Sequence, residues 1–194
     1  MSTMTRGRLE AFSDGVIAIL ITIMILELKV PHGDDLHALR LIAGPLLIYL
    51  LSFVLVGIYW NNHHHLFHLV HRIDGRILWA NLHLLFWLSL FPVCTAWIGD
   101  SHFARLPTAS YGVVLLGASI AFKLTVMAII ACEGPGSKLA TAVGADRKGN
   151  LSSLLYVVGI GLAFLSSAAA IGCYALVAII WFIPDRRIER QVGA

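Results

Sequence analysis

The sequence predicts an all-α, polytopic membrane protein whose chain crosses the bilayer six times. Three observations carry that expectation. Of 194 residues, 58% are hydrophobic and only 13% charged, against about half and a quarter in soluble domains. The mean hydropathy is +0.82. Four separate runs are as apolar and as long as a crossing needs, roughly 20 residues, and lysines and arginines gather in alternate connections, the pattern that orients helices in a membrane.

The first expected span, about 12–30, lies in "RGRLEAFSDGVIAILITIMILEL", apolar from Val16 to Leu26 except at Thr22. Arg6 and Arg8 before an apolar run resemble a signal peptide, but the run ends Leu26-Glu27-Leu28-Lys29 without a small-residue cleavage site, so it reads as a retained helix. Further spans are expected at about 44–66, 77–98 and 110–132. The last apolar block, Leu151 to Ile183, has 33 residues, long for one crossing and short for two. Its middle, "SSAAAIG" (166–172), is small enough for a tight turn, which gives spans at 150–166 and 169–184.

Charge decides between five spans and six. With six, Arg6, Arg8, Arg72, Arg76, Lys138, Arg147, Lys148, Arg186, Arg187 and Arg190 all lie on one side, and only Lys29, Arg40 and Arg105 on the other. Basic connections stay cytoplasmic, so both termini are expected there, in a multi-pass protein of a cell membrane and most simply a bacterial plasma membrane. The connection "CEGPGSKLATAVGADRKGN" (132–150) is rich in glycine and basic residues and is expected to be mobile. No repeat of the first segment occurs later, and residues 1–194 read as one transmembrane domain.

At about 100° per residue, Gly15, Ile19, Ile23 and Leu26 fall on one stripe of the first helix with Thr22 at its flank, and Glu10 and Asp14 lie nearly opposite. Polar atoms in a membrane need protein or water partners. Asp14, with Ser13, is therefore expected to point into neighbouring helices, toward histidines, asparagines or the tryptophan of the second span. The Ile19 stripe is left for lipid, a partner helix or a pore axis. Glu27, about 80° from the stripe, is either a cation-attracting group at the outer mouth or an interfacial partner of Lys29 or Arg40.

The second span ends in "GIYWNNHHHLFHLVHRIDGR". His64, His68 and His71, at i, i+4 and i+7, would share one helical face, with His63 in a separate column. Two such histidines can hold zinc, but no H-E-x-x-H pattern follows, and imidazoles bonded to Ser13, Asp14 or loop backbone are the simpler expectation. Trp60, Trp79, Trp97 and Trp181 suit headgroup level, whereas Trp87 lies mid-span and is expected to pack between helices. Lys123 is a charge midway along the fourth run, a functional candidate unless it snorkels or pairs with Glu133 or a loop carboxylate. Cys94, Cys132 and Cys173 stand alone in apolar surroundings and read as unbridged small hydrophobes. A net charge of +3 lacks the dense basic face that nucleic acid requires. No nucleophile, base and acid set suggests an enzyme, and neither a cofactor nor a resident metal is expected.

The residues Arg8, Phe12, Ser13 and Asp14 spell R-x-x-x-F-S-D at the start of the first span. This resembles the signature of the transmembrane protein 175 family of potassium channels. Trp60, His63, His64 and Phe67, in W-N-N-H-H-H-L-F, resemble the family's W-x-x-H-H-x-x-F element. The resemblance implies a homotetramer of six-helix subunits whose four first helices line a central pore for K+. It also implies a constriction of apolar layers at Ile19, Ile23 and Leu26, with Thr22 as the polar candidate. The signature and the Trp60 element would form the network that anchors the first helix. Nothing here resembles T-V-G-Y-G, so selectivity would have to come from pore width and the lower cost of dehydrating potassium than sodium. Two other classes stay open: a proton-coupled transporter using His64, His68 and Lys123, and a membrane enzyme with a histidine-bound metal.

Overall fold

The computed structural model describes residues 5–144 and 146–182, and the described residues form helices joined by turns and short connections, without strands. Eight helices follow in order: α1 (Arg6–Leu26), α2 (Leu36–His68), α3 (Gly75–Ser89), α4 (Phe91–Asp100), α5 (Arg105–Glu133), α6 (Lys138–Val143), α7 (Arg147–Ala163) and α8 (Ser167–Phe182). Helices α1, α2, the α3–α4 pair and α5 are each long and apolar enough to cross a membrane. The chain is a multi-pass membrane protein. The basic residues Arg186, Arg187 and Arg190 lie outside the described residues.

Local chemistry sets the boundaries. Helix α1 starts at Arg6, so the charged collar lies inside the helix, and it stops at Leu26 instead of continuing to residue 30. Val30 precedes Pro31, and the residue before a proline is pushed away from helical geometry. Asp35 caps α2 by accepting from the Ala38 N–H at 2.8 Å, and Asp74 caps α3 from the Ile77 N–H at 2.9 Å. With 33 residues, α2 is about 50 Å long and outruns the hydrocarbon layer at both ends. The third span is not one helix. It breaks at Leu90, where Pro92 lacks the N–H that would bond the Leu88 carbonyl.

Two further expectations need correction. The turn in the last apolar block falls at Phe164–Ser166, and Ala168 to Ile171 are helical. Ser166 accepts the Ala169 N–H at 3.3 Å, and the alanines behind it are the strongest helix formers. The connection after α5 is also not loose. Ser137 caps α6, and Leu139, only 3% exposed, belongs to the buried cluster that includes Leu9, Leu66, Phe67, Ile77 and Ile129.

Helix α5 is the central element, packed on α3, α4, α7 and α8. The core there is aromatic. Tyr111 stacks edge-on to Phe91 at 5.9 Å and to Tyr174 at 5.8 Å. Its hydroxyl pairs with Ser52 at 2.8 Å, and Ser52 pairs with Thr95 at 2.7 Å. Every polar atom of that chain therefore has a partner inside the protein, as a membrane interior demands. Gly117 lets α3 and α5 approach: a Cβ there would run into the Trp87 ring. Trp87 thus packs between helices, its Nε1 donating to His83 Nε2 at 2.9 Å.

Candidate functional site on the first helix

Helix α1 presents two faces. Leu9, Ser13, Ile17, Leu20 and Met24 are buried at spacings of four, four, three and four, against α2, α3 and α4. The other side is open. Phe12, Ile19, Ile23 and Leu26 are exposed, Ile19 by 58% and Leu26 by 81%, and Thr22 is exposed among them. Burying one such aliphatic side chain is worth about 1.5–3 kcal/mol. A stripe of this kind therefore favours lipid or a second protein surface over water. Thr22 Oγ1 donates to its own Ile19 carbonyl at 2.8 Å, so its oxygen lone pairs still face outward.

The packed face is fixed by a directed chain of hydrogen bonds. Ser13 Oγ donates to the Leu9 carbonyl at 2.9 Å and accepts from Asn81 Nδ2 at 3.0 Å. Asn81 Oδ1 lies 2.8 Å from His63 Nε2. A carboxamide oxygen only accepts, so Nε2 of His63 carries the proton. The His63 ring stacks on Phe67 at 4.4 Å. Ser13, His63 and Asn81 are all buried, and each is satisfied by the next. Asn81 is the member that the sequence reading missed. A lone asparagine within "ILWANLHLLFW" was the available signal, since an intramembrane amide requires partners.

Asp14 meets the expected tryptophan of the second span, but outside the core. It stays exposed at the flank of α1, accepting from Trp60 Nε1 at 3.0 Å. Residue 14 sits about 100° from the Ser13 column, so the hydroxyl and not the carboxylate enters the core, avoiding the cost of burying a charge. Trp60 stacks on His64 at 6.3 Å. Arg8 is exposed on the side of Ile19 and Leu26, and among the described residues no hydrogen bond or ion pair within the subunit reaches it. Instead, Arg6 ties the helix start down: its Nε meets Glu10 Oε2 at 3.3 Å and its Nη1 donates to the His68 carbonyl at 3.3 Å. That carbonyl is at the negative end of α2, where a cation is favoured.

The remaining candidates disperse. Helix α2 ends at His68, so His71 does not share a helical face with His64; its backbone N–H donates to Glu133 Oε1 at 2.8 Å. His64 and His68 face each other at 5.4 Å between ring centroids. Among the described residues, no group of three or more His, Cys, Asp or Glu is placed to hold a metal ion. Lys123 does not meet Glu133; it donates to Asn150 Oδ1 at 2.7 Å. Glu27 is exposed at the end of α1, and Lys29, one partner weighed for it, instead bonds both carboxylate oxygens of Asp100 at 2.8 and 2.9 Å.

This arrangement can be set beside known proteins. The family model described as endosomal/lysosomal potassium channel TMEM175 matches residues 8–92, the segment holding both the Ser13 and the His63–Asn81 sides of the anchor. A potassium channel of Chryseobacterium sp. (strain P1-3) is 56% identical over 189 residues, 97% of this chain and 98% of that protein. A potassium channel of Streptomyces collinus is 32% identical over 184 residues, covering 89% of each chain. The crystal structure of a lysosomal potassium-selective channel TMEM175 homolog from Chamaesiphon minutus superimposes with a TM-score of 0.79 at 29% identity. That match covers 93% of this chain and 97% of that one. A chain with this anchor, and this similarity along nearly its whole length, belongs to the TMEM175 family.

Proposed function

We propose that the protein is a potassium-preferring cation channel, a homotetramer in which four copies of α1 surround the pore. The observation that carries the reading is the division of α1 into a face locked by Ser13, Asn81 and His63 and an apolar face of Ile19, Ile23 and Leu26 left open. The curated relatives are themselves named potassium channels. In this reading each subunit crosses the membrane six times, with α7 and α8 as the last two crossings and both termini in the cytoplasm of a bacterial cell.

Ile19, Ile23 and Leu26 form successive apolar rings, and Thr22 adds the one hydroxyl layer. Such rings have no carbonyl cage, so they discriminate by width and by dehydration cost and can close by dewetting. Four Glu27 carboxylates at the outer end would raise the local cation concentration. Arg8, exposed on the same side as Ile19, would stand at the cytoplasmic entrance.

Purified protein in liposomes tests this. Potassium flux is expected, and Ile23→Asn should change conductance or the potassium-to-sodium ratio at least several-fold. An Ile23→Asn protein with both unchanged removes α1 from the pore. Saturable, pH-coupled flux without single-channel currents would support a transporter using His64, His68 and Lys123 instead.

A further inference from the structure

We propose that the cavity enclosed by α2, α5, α6, α7 and α8 binds an anionic phospholipid of the cytoplasmic leaflet. One acyl chain would lie inside and the phosphate would sit at Lys123, Arg147 and Lys148. The cavity measures about 290 Å³. Its inner walls are apolar: Leu55, Ile58, Leu66, Phe122, Val126 and Tyr156. Among the described residues its lining also includes Lys123, Arg147 and Lys148, with Asp146 as the one carboxylate. Asp146 is engaged in accepting the Gly149 N–H at 3.1 Å, capping α7.

Lys123 reaches the first turn of α7, the turn that carries Arg147 and Lys148. Lys123 Nζ is 2.7 Å from Asn150 Oδ1, and Lys148 Nζ is 5.9 Å from the centroid of the Trp181 ring. The indole Nε1 of Trp181 donates to Ser152 Oγ at 2.8 Å, which holds the ring against the cavity. The positive end of the α7 dipole adds to the attraction for an anion.

The surroundings select a lipid over a soluble anion. Ile120 and Met127, three residues before and four after Lys123 on its face of α5, are exposed, so the ammonium lies beside an apolar band. A cation in such a band is costly, and a phosphate beside it offsets the cost. A phospholipid fills the apolar interior with its chain and meets the cations with its phosphate, whereas a small soluble anion leaves the interior unfilled. Anionic lipids face the cytoplasm, so the proposal rests on the orientation given under Proposed function; its readout is bound lipid and not ion flux.

The test is native mass spectrometry of the purified full-length assembly, delipidated and exposed to phosphatidylglycerol or phosphatidylcholine of identical chains. The unaltered protein is expected to retain phosphatidylglycerol at least tenfold better. Lys123→Gln with Arg147→Gln should bring the two lipids to near parity, and Val126→Phe, which narrows the cavity and keeps the charges, should lower retention of both. Unchanged preference in the charge variant overturns the proposal, as does displacement of the lipid by glycerol phosphate alone, which would mark a small-anion site. A second measurement needs no charge change. Phosphatidylglycerol brominated on its acyl chains should quench the unaltered protein more than Trp181→Phe, and equal quenching of the two overturns the proposal.

Discussion

Asn81 reaches Ser13 across the α1–α3 boundary, its Nδ2 donating to Oγ at 3.0 Å while its Oδ1 takes the His63 proton at 2.8 Å. One amide thereby joins three helices and sets the rotation of α1. Asn81→Leu strands two buried polar groups, each costing about 1–3 kcal/mol, though measured values in membrane proteins average nearer 0.6. The expected net loss is about 1–2 kcal/mol, seen as a lower midpoint in a thermal unfolding assay. Ser13→Ala should cost less than Asn81→Leu, because the Asn81–His63 bond survives it.

Asp14 serves as an acceptor for Trp60 at 3.0 Å, and that task needs an oxygen more than a charge. Asp14→Asn should therefore support assembly and flux close to the unaltered protein, whereas Asp14→Leu should reduce both. Size-exclusion profiles of the two variants, run beside Trp60→Phe, check this. Equal damage from Asp14→Asn and Asp14→Leu would assign the function to the charge instead.

Gly117 and Trp87 share one space. Gly117→Leu drives its side chain into the indole, and overpacking typically costs about 1–3 kcal/mol. Trp87→Ala should restore part of that loss in the double variant. The check is the coupling between the two substitutions in thermal stability; strictly additive effects would mean that the contact is not the cause.

Leu26, 81% exposed in the subunit, has its role only in the proposed assembly. Leu26→Ala should raise conductance and reduce potassium preference, with little effect on the stability of the fold. Planar-bilayer recordings under mixed potassium and sodium decide it, and a large loss of stability would place Leu26 in packing.

Lys29 and Asp100 pair at 2.8 Å on an exposed surface. Exposed pairs contribute about 0–1 kcal/mol, so Lys29→Ala should leave the unfolding midpoint nearly unchanged, and less so at low salt. A midpoint shift of many degrees would show that this pair holds the α1–α2 connection.

By itself the sequence determined that this chain lives in a membrane, that it is helical, and roughly where its helices run. Apolar length is a local property, and the helix ends at Asp35, Asp74 and Pro31 are set by equally local chemistry that the expected bounds of 44, 77 and 30 left unread. Periodicity likewise separated the Ile19 column from the opposite side of α1. What only the tertiary structure decided was which polar residue each neighbour would meet. Ser13 and Asp14 are adjacent in sequence and differ by about 100° in direction, so the choice between them depended on where α3 brought Asn81. The docking of Leu139 and the pairing of Lys123 with Asn150 have the same origin. Each depends on contacts between residues far apart in the chain, which periodicity along one helix does not encode.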